Sequence, residues 1–202
     1  MATARLAVSA TPGLVFSDTQ FVPSQWQATM AIVAPRPSFA HTEAQVPTDG
    51  HPGAFRQMSV LVPPESGSAH VSHLWLASHY DPATQGAIRV IDYAADCIQL
   101  DTSEFAYVES AAFFEQRGRR YFSNDALGQC GRAGWTRGAL NSLRDVDFFI
   151  FDGPPCDVGE SCPDFSASGA ALRFGYLRRS YGASGESVVH GIDNWSVTVW
   201  RR

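Results

Sequence analysis

A run of histidine and aromatic side chains in the first half of the chain has the residue types that bind ligands. In the predicted strand 70–80, His73, Trp75 and His79 fall on one face, because successive side chains of a strand point to opposite sides of a sheet. The other face carries the apolar residues Leu74, Leu76 and Tyr80. His73 and His79 are six residues apart, which is about 20 Å along a strand, so they cannot ligate one metal ion. The stripe suits an organic ligand held by ring stacking and hydrogen bonds.

Two further predicted strands carry side chains of the same kind. Strand 87–93 contains Arg89 and Tyr93 on one face, and strand 107–114 contains Tyr107 and Glu109 on one face. If the three strands are neighbours, one concave sheet displays all these groups, and aromatic faces beside planar polar groups suit sugar rings and their hydroxyls. The predicted ligand-binding residues are His73, Trp75, His79, Arg89, Tyr93, Tyr107 and Glu109.

Catalysis by the same residues is the competing interpretation. Jelly-roll glycosidases of the laminarinase type place two carboxylates on one strand as Glu-x-Asp-x-x-Glu. Glu109 and Glu115 share strand parity, but the central Asp is missing and the spacing is one residue too long. A lyase would need a His/Tyr proton-transfer pair and an arginine that neutralises a uronate, roles open to His73 or His79, Tyr93 and Arg89. No complete catalytic motif is found, so a non-catalytic binding module is favoured.

The four cysteines are even in number, which suits two disulfides in an exported protein and allows three connectivities. Cys156 and Cys162 bracket a short Pro/Gly/acidic loop, so a local bridge there is the natural expectation, and Cys97 with Cys130 would follow. Four reduced thiols remain the alternative. A zinc site is disfavoured because no Cys-x-x-Cys or Cys/His ligand spacing is present.

The elements that must position these residues are mostly strands, because period-2 alternation dominates the chain. Turn signals rich in Pro and Gly separate the strands, and this pattern predicts an all-β sandwich or barrel. One short helix is expected near Leu140 to Arg144, and residues 35–52 and 152–170 are expected to be long polar loops. The predicted strands are 14–18, 26–34, 54–62, 70–80, 87–93, 107–114, 119–123, 146–151, 171–179 and 187–200.

Length and charge limit the possible classes of protein. The 202 residues are most simply one domain at 14–202, after a leader or flexible N-terminus at 1–13. The net charge of −5 argues against binding the phosphate backbone of nucleic acid. No apolar run reaches the 18 or more residues of a membrane span, and the N-terminus lacks a convincing signal peptide.

Five motifs are spread over most of the chain, from about Val15 to Val199: Phe16-Ser17-Asp18 followed by Trp26, Gly50-His51-Pro52-Gly53-Ala54-Phe55-Arg56, Pro163-Asp164-Phe165-Ser166, Phe174-Gly175-Tyr176 and Gly191-Ile192-Asp193-Asn194-Trp195. Together they resemble the concanavalin A-like (laminin-G-like) jelly-roll sandwiches of uncharacterised bacterial type. The usual turn of that family is Gly-Asn-Pro-Gly-Ala-Tyr-Arg, and here His51 replaces its Asn. The resemblance implies an antiparallel two-sheet jelly roll.

In related glycan-binding sandwiches, an acidic residue of the last strand and an early acidic residue hold a structural Ca²⁺. The matching positions here are Asp193 and Asp18, and carboxylates are ligands that calcium prefers. The alternative is that Asp193 and Asn194 hydrogen-bond neighbouring backbone.

The sequence therefore predicts an extracellular or cell-surface glycan-binding module with a possible structural calcium ion. The first alternative is a self-associating subunit of an extracellular fibre, sheath or coat, since exposed sheet edges can pair between chains. The second alternative is a polysaccharide lyase or glycoside hydrolase of jelly-roll type.

Overall fold

The computed structural model describes residues 13–31, 40–62, 68–101, 106–150, 156, 162–182 and 185–202, without the side chains of residues 30 and 31. Within these ranges the chain forms antiparallel strands, one short helix, α1 (Pro82–Gln85), and two 3₁₀ turns. The strands are β1 (Leu14–Asp18), β2 (Trp26–Ala31), β3 (His41–Gly50), β4 (Gly53–Leu61), β5 (Ser68–Trp75), β6 (Ile88–Gln99), β7 (Tyr107–Gln116), β8 (Arg119–Gln129), β9 (Thr136–Leu143), β10 (Phe148–Ile150), β11 (Leu172–Tyr181) and β12 (Ser187–Arg201).

The strands form two sheets. The first sheet has the order β3-β4-β12-β6-β9, with β1 also paired to β12, and the second has the order β10-β8-β7-β11-β5-β2. Strand partners are therefore distant in sequence, as when β12 lies between β4 and β6. This architecture confirms the predicted all-β, antiparallel two-sheet jelly-roll sandwich.

The core lies between the inner faces of the two sheets. Trp26 of β2 and Trp195 of β12 join the sheets with rings 5.2 Å apart in a T-shaped contact. Ile192 and Trp195 are both 1% exposed. In a regular strand, two residues three positions apart point to opposite faces of the sheet, so both would not be buried in the same core. A register shift between Asp193 and Ser196, with Asn194 at φ 47°, provides the bulge that turns both side chains inward.

Two strands were not predicted, and the helix expected near Leu140 to Arg144 is wrong. Leu140 and Leu143 belong to β9, where they pair with Tyr93 and Ile91 of β6. The predicted loop 35–52 also contains β3, whose sequence is polar and includes Pro47. Both strands lie at edges of the first sheet, where polar residues and proline are tolerated because one side of the strand needs no backbone partner.

Both predicted disulfides are present. Cys97 of β6 is bonded to Cys130, which follows β8, so this bridge links the two sheets. Cys156 is bonded to Cys162 across the short loop. No free cysteine occurs among the described residues.

Two further expectations concern the chain ends and membranes. The predicted leader at 1–13 lies outside the described residues, apart from Gly13. Among the helices within the described ranges, none has the length and apolar character needed to cross a bilayer.

Candidate functional site

The seven predicted ligand-binding residues do not share one sheet face. β6, which carries Arg89 and Tyr93, lies in the first sheet, whereas β5 and β7 lie in the second. β5 also ends at Trp75, so His79 lies beyond the strand on which it was placed. The expectation of a single face is wrong because strand alternation determines which residues point together, but not which strands become neighbours.

His73 is a core residue. It is 0% exposed, and its ring stacks on Tyr176 with 4.5 Å between ring centroids. Its Nδ1 accepts a long hydrogen bond from Arg56 Nε at 3.4 Å. Burial and, next, the charge of Arg56 hold the pKa of His73 well below its usual value, so it is a neutral packing residue.

Tyr93 and Trp75 also face the interior. The Tyr93 hydroxyl donates to the carbonyl of Phe113 within the core, and burial raises the pKa of Tyr93 well above its usual value. Trp75 is half-buried, with its ring 6.3 Å from Trp26 and 5.5 Å from Trp195. Trp75 therefore extends an aromatic core cluster at the end of β5.

Arg89 and His79 are exposed but lie apart from the other predicted site residues. Arg89 follows Ile88 at the start of β6, while His79 precedes the isolated bridge between Tyr80 and Leu172. The arrangement proposed for a lyase is therefore not assembled from His73, Tyr93 and Arg89.

Tyr107 and Glu109 are brought together, with partners that the sequence did not identify. Both lie on the outer face of β7, where Tyr107 pairs in register with Tyr181 and Glu109 with Arg179 of β11. Arg179 in turn pairs in register with His70 of β5. We call these five side chains the tyrosine platform: Tyr107, Glu109, Tyr181, Arg179 and His70.

The platform combines stacked rings with an ion pair. The rings of Tyr107 and Tyr181 lie 4.4 Å apart and nearly parallel at 13°, and His70 meets Tyr181 edge-on at 6.2 Å. Arg179 Nη1 lies 4.0 Å from Glu109 Oε2. Tyr107 is 37% exposed, so part of this stacked surface reaches solvent.

The local electrostatics keep the platform close to neutral. Burial and then Arg179 lower the pKa of His70 to about 4, so its imidazole is uncharged at neutral pH. Burial and, after it, Glu109 raise the pKa of Tyr181, so its phenol stays protonated. Glu109 and Arg179 carry opposite charges that cancel, which leaves hydrogen-bonding groups with little net charge.

The sequence contained a signal for the missed residues. In β11, Arg179 and Tyr181 have the same strand parity as Arg173, so an outward polar and aromatic face could have been read from residues 171–181. Only the register of β11 against β7 places that face beside Tyr107 and Glu109.

The two carboxylates considered for glycoside hydrolysis are separated on β7. Glu115 is paired with Arg173 at 3.1 Å, and Glu109 is paired with Arg179 at 4.0 Å. Six strand residues span about 20 Å, well beyond the roughly 5–10 Å that separates acid and nucleophile or base in glycosidases. The pair is therefore too far apart for that chemistry.

The two predicted calcium ligands each hold a backbone turn. Asp18 accepts hydrogen bonds from the backbone N–H groups of Gln20 and Phe21 at 2.7 and 3.0 Å, and from the Trp26 indole at 2.7 Å. Asp193 accepts from the backbone N–H groups of His51 and Asn194. The described residues contain no group of three or more His, Cys, Asp or Glu arranged to hold a metal ion.

Hydrogen bonds join two of the sequence motifs, the turn at residues 50–56 and the bulge at residues 191–195. The turn at His51 lies against the bulge at Asn194, whose side-chain amide donates to the His51 carbonyl and, at 2.7 Å, to Asp96. Asp96 also binds Arg137 Nη1 at 3.0 Å. Burial by itself would raise the pKa of Asp96, but hydrogen bonds from Asn194, His51 and Arg137 outweigh it and lower this pKa.

The sequence and structure comparisons differ in what they find. No family model matches the sequence, and no curated protein matches it. Solved structures match over nearly the whole chain. A family 11 carbohydrate-binding module of a cellulosomal cellulase of Clostridium thermocellum is 10% identical, with 96% of this chain and 98% of that chain covered and a TM-score of 0.54.

Two more solved structures have the same fold. A family 11 carbohydrate-binding module from Clostridium thermocellum, in complex with a β-1,3-1,4-mixed-linked tetrasaccharide, is 9% identical, with coverage of 95% and 98% and a TM-score of 0.51. The C-terminal family 22 carbohydrate-binding module of a Clostridium thermocellum protein is 10% identical, with coverage of 92% and 93% and a TM-score of 0.50. These likenesses support the β-sandwich fold.

Proposed function

We propose that the protein binds a neutral glycan, without catalysis, at the tyrosine platform. The observation that carries the proposal is the partly exposed ring of Tyr107, stacked on Tyr181 and next to the Glu109–Arg179 pair on the same sheet face. Among proteins of similar fold, one family 11 module is known in complex with a tetrasaccharide, which supports this choice of ligand class.

Each part of the platform has a role in this proposal. The Tyr107 ring stacks on a pyranose ring, and Tyr181 limits its motion, so less conformational entropy is lost on binding. The carboxylate of Glu109 accepts hydrogen bonds from sugar hydroxyls, and the guanidinium of Arg179 donates to them. Because the charges of the platform cancel, a neutral glycan is favoured over a uronate. One such face corresponds to weak affinity, with Kd of roughly micromolar to millimolar.

Binding to immobilised polysaccharide tests this proposal. We expect electrophoresis through gels containing mixed-linkage β-glucan or xylan to retard the protein, and gels containing alginate to retard it less. Tyr107→Ala should weaken binding about tenfold, the effect of losing about 1.4 kcal/mol. Leu61→Ala is the matched control, since Leu61 is 44% exposed and lies on β4 of the other sheet. Equal retardation of Tyr107→Ala and the unaltered protein would refute the assignment of the face.

Calcium binding at Asp18 and Asp193 remains a separate proposal. N–H donors already reach both oxygens of each carboxylate, so an ion would have to share or replace these donors. Its test is thermal unfolding with calcium and with EDTA: a higher Tm in calcium, lost in Asp193→Asn, supports the site, and equal Tm values in both buffers oppose it.

The cellular location and the finer family are also proposals. The two disulfides fit an oxidising environment outside the cell, as does the ligand class. The concanavalin A-like assignment rests on the sequence motifs, whereas the solved structures support the broader jelly-roll class.

A further inference from the structure

The disulfide that links the two sheets has very different surroundings at its two cysteines. Cys97 lies in β6 and Cys130 lies just after β8, and the residues are only 6% and 7% exposed.

A buried cation lies against Cys130. Arg178 is 0% exposed, and its Nη1 is 3.1 Å from Cys130 Sγ. Its other contacts are the carbonyl of Gly191 at 3.3 Å and the ring of Tyr176 at 5.5 Å. No ion pair joins Arg178 to a carboxylate of the described residues. Burial lowers the pKa of Arg178 to about 10, so it is a cation at neutral pH, and the described part of the chain supplies no anionic partner.

A cavity reaches Cys97. It has a volume of about 50 Å³ and lies between the sheets, where its lining includes Cys97, Ser110, Gln129 and Thr136 but not Cys130. A cavity needs about 10–15 Å³ of such space to hold one water molecule, so this one admits the sulfur of a small thiol. The two ends of the disulfide are thus specialised: one is next to a cavity and the other is next to a positive charge.

We propose that Cys97 is a site of S-thiolation by small thiols, with Cys130 as the leaving group. The thiolate sulfur of a small thiol such as glutathione attacks Cys97 Sγ, a new S–S bond forms there, and the Cys97–Cys130 bond breaks. The bonding electrons pass to Cys130, which leaves as a thiolate paired with the Arg178 guanidinium. The reaction is an exchange, so it needs no oxidant or reductant other than the thiol itself. A lower leaving-group basicity speeds such an exchange, which fixes the direction of cleavage.

Peptide mapping by mass spectrometry tests this direction. The folded protein is exposed briefly to reduced glutathione, free thiols are blocked with iodoacetamide, and the modified cysteines are located. We expect glutathione on Cys97 and the alkyl group on Cys130. Glutathione on Cys130, or an intact Cys97–Cys130 bond after the Cys156–Cys162 bond has been cleaved, would overturn the proposal.

Arg178→Met separates the role of the charge from that of the cavity. Methionine keeps much of the side-chain volume and removes the cation, so cleavage at Cys97 should slow about tenfold, as expected for a leaving thiol whose pKa rises by a unit or two. The Cys156–Cys162 bond is the internal control, and its cleavage rate should not change. An unchanged Cys97 rate in the folded variant would overturn the role of Arg178; if the variant does not fold, the adduct position in the unaltered protein decides alone.

Discussion

Arg178 and Arg179 are consecutive residues of β11 that meet opposite environments. Arg178 points into the sandwich, is 0% exposed and contacts a sulfur, a carbonyl and an aromatic ring. Arg179 points outward, contacts Glu109 and the Ser123 carbonyl, and lies over Phe122. Arginine therefore packs in the core at one position and lies on the candidate binding face at the next, because consecutive residues of a strand point to opposite sides of the sheet.

The histidines of the two regions show the same division. His73 and His190 lie in the core, 0% and 1% exposed, near Arg178, while His70 lies on the platform beside Arg179. All three have a lowered pKa, and burial is the largest cause in each case. These three histidines are held in their neutral form, whereas the arginines beside them, Arg178 in the core and Arg179 on the platform, carry a charge.

The largest effect expected from this comparison is a loss of stability in mild acid. His73 and His190 stay neutral when folded, whereas in the unfolded chain histidine protonates near pH 6.5. Below pH 6.5 the unfolded state therefore binds more protons, and the free energy of unfolding falls by about 1.4 kcal/mol per pH unit for each histidine. Urea denaturation should show a loss of about 4 kcal/mol between pH 7.0 and 5.0, summed over these two histidines.

The matched variants are His190→Leu in the core and His79→Asn on the surface. His190→Leu should reduce the slope of stability against pH, and His79→Asn should leave it unchanged. The same slope in all three proteins would contradict the explanation by buried histidines.

The next effect concerns the volume and charge of Arg178. Arg178→Ala leaves a cavity in the core and should lower the free energy of unfolding by about 3 kcal/mol. Arg178→Met fills the space without a buried charge and should change stability by less than about 1 kcal/mol. Denaturant titration of both variants distinguishes them; equal large losses would mean that the cation itself stabilises the core.

A smaller effect is expected when the second ring of the platform is removed. Tyr181→Ala should weaken glycan binding about fivefold, because an aromatic pair contributes about 1 kcal/mol that here holds Tyr107 in place. Tyr181→Phe keeps the ring and should bind like the unaltered protein. Calorimetry with the best polysaccharide ligand measures both, and a loss with Phe equal to that with Ala would assign the effect to the hydroxyl.

The smallest effect is expected at Arg179. Its ion pair with Glu109 is partly exposed and 4.0 Å long, and such pairs contribute less than about 1 kcal/mol. Arg179→Met should therefore change the urea midpoint little while reducing glycan binding. A loss of stability as large as that of Arg178→Ala would show that the two faces of β11 are not energetically distinct.

Much of the fold could be predicted from local patterns. The alternation of apolar and polar residues predicted β1, β7 and β11 to within two residues of their observed ends. The short loop between Cys156 and Cys162 correctly predicted a disulfide between them. The polar edge strands β3 and β9 could not be predicted in this way, because their faces are not marked by apolar alternation.

The candidate site was predicted less well. Tyr107 and Glu109 lie together on the platform, but the sequence did not reveal Tyr181, Arg179 or His70 as their neighbours. His73 and Tyr93 have the residue types of a binding site and are core residues instead. A histidine or tyrosine fits either environment, so its type alone does not decide between them.

The sequence by itself determined the strand class and the alternation of faces within each strand, and it indicated the local bridge between Cys156 and Cys162. These properties depend on neighbours a few residues apart, for which chain geometry is sufficient. Only the tertiary structure decided which strands share a sheet, and thus that β7, β11 and β5 bring the tyrosine platform together while β6 belongs to the other sheet. The physical reason is that backbone hydrogen bonding is the same for every strand, so strand partners are selected by the packing of the whole core.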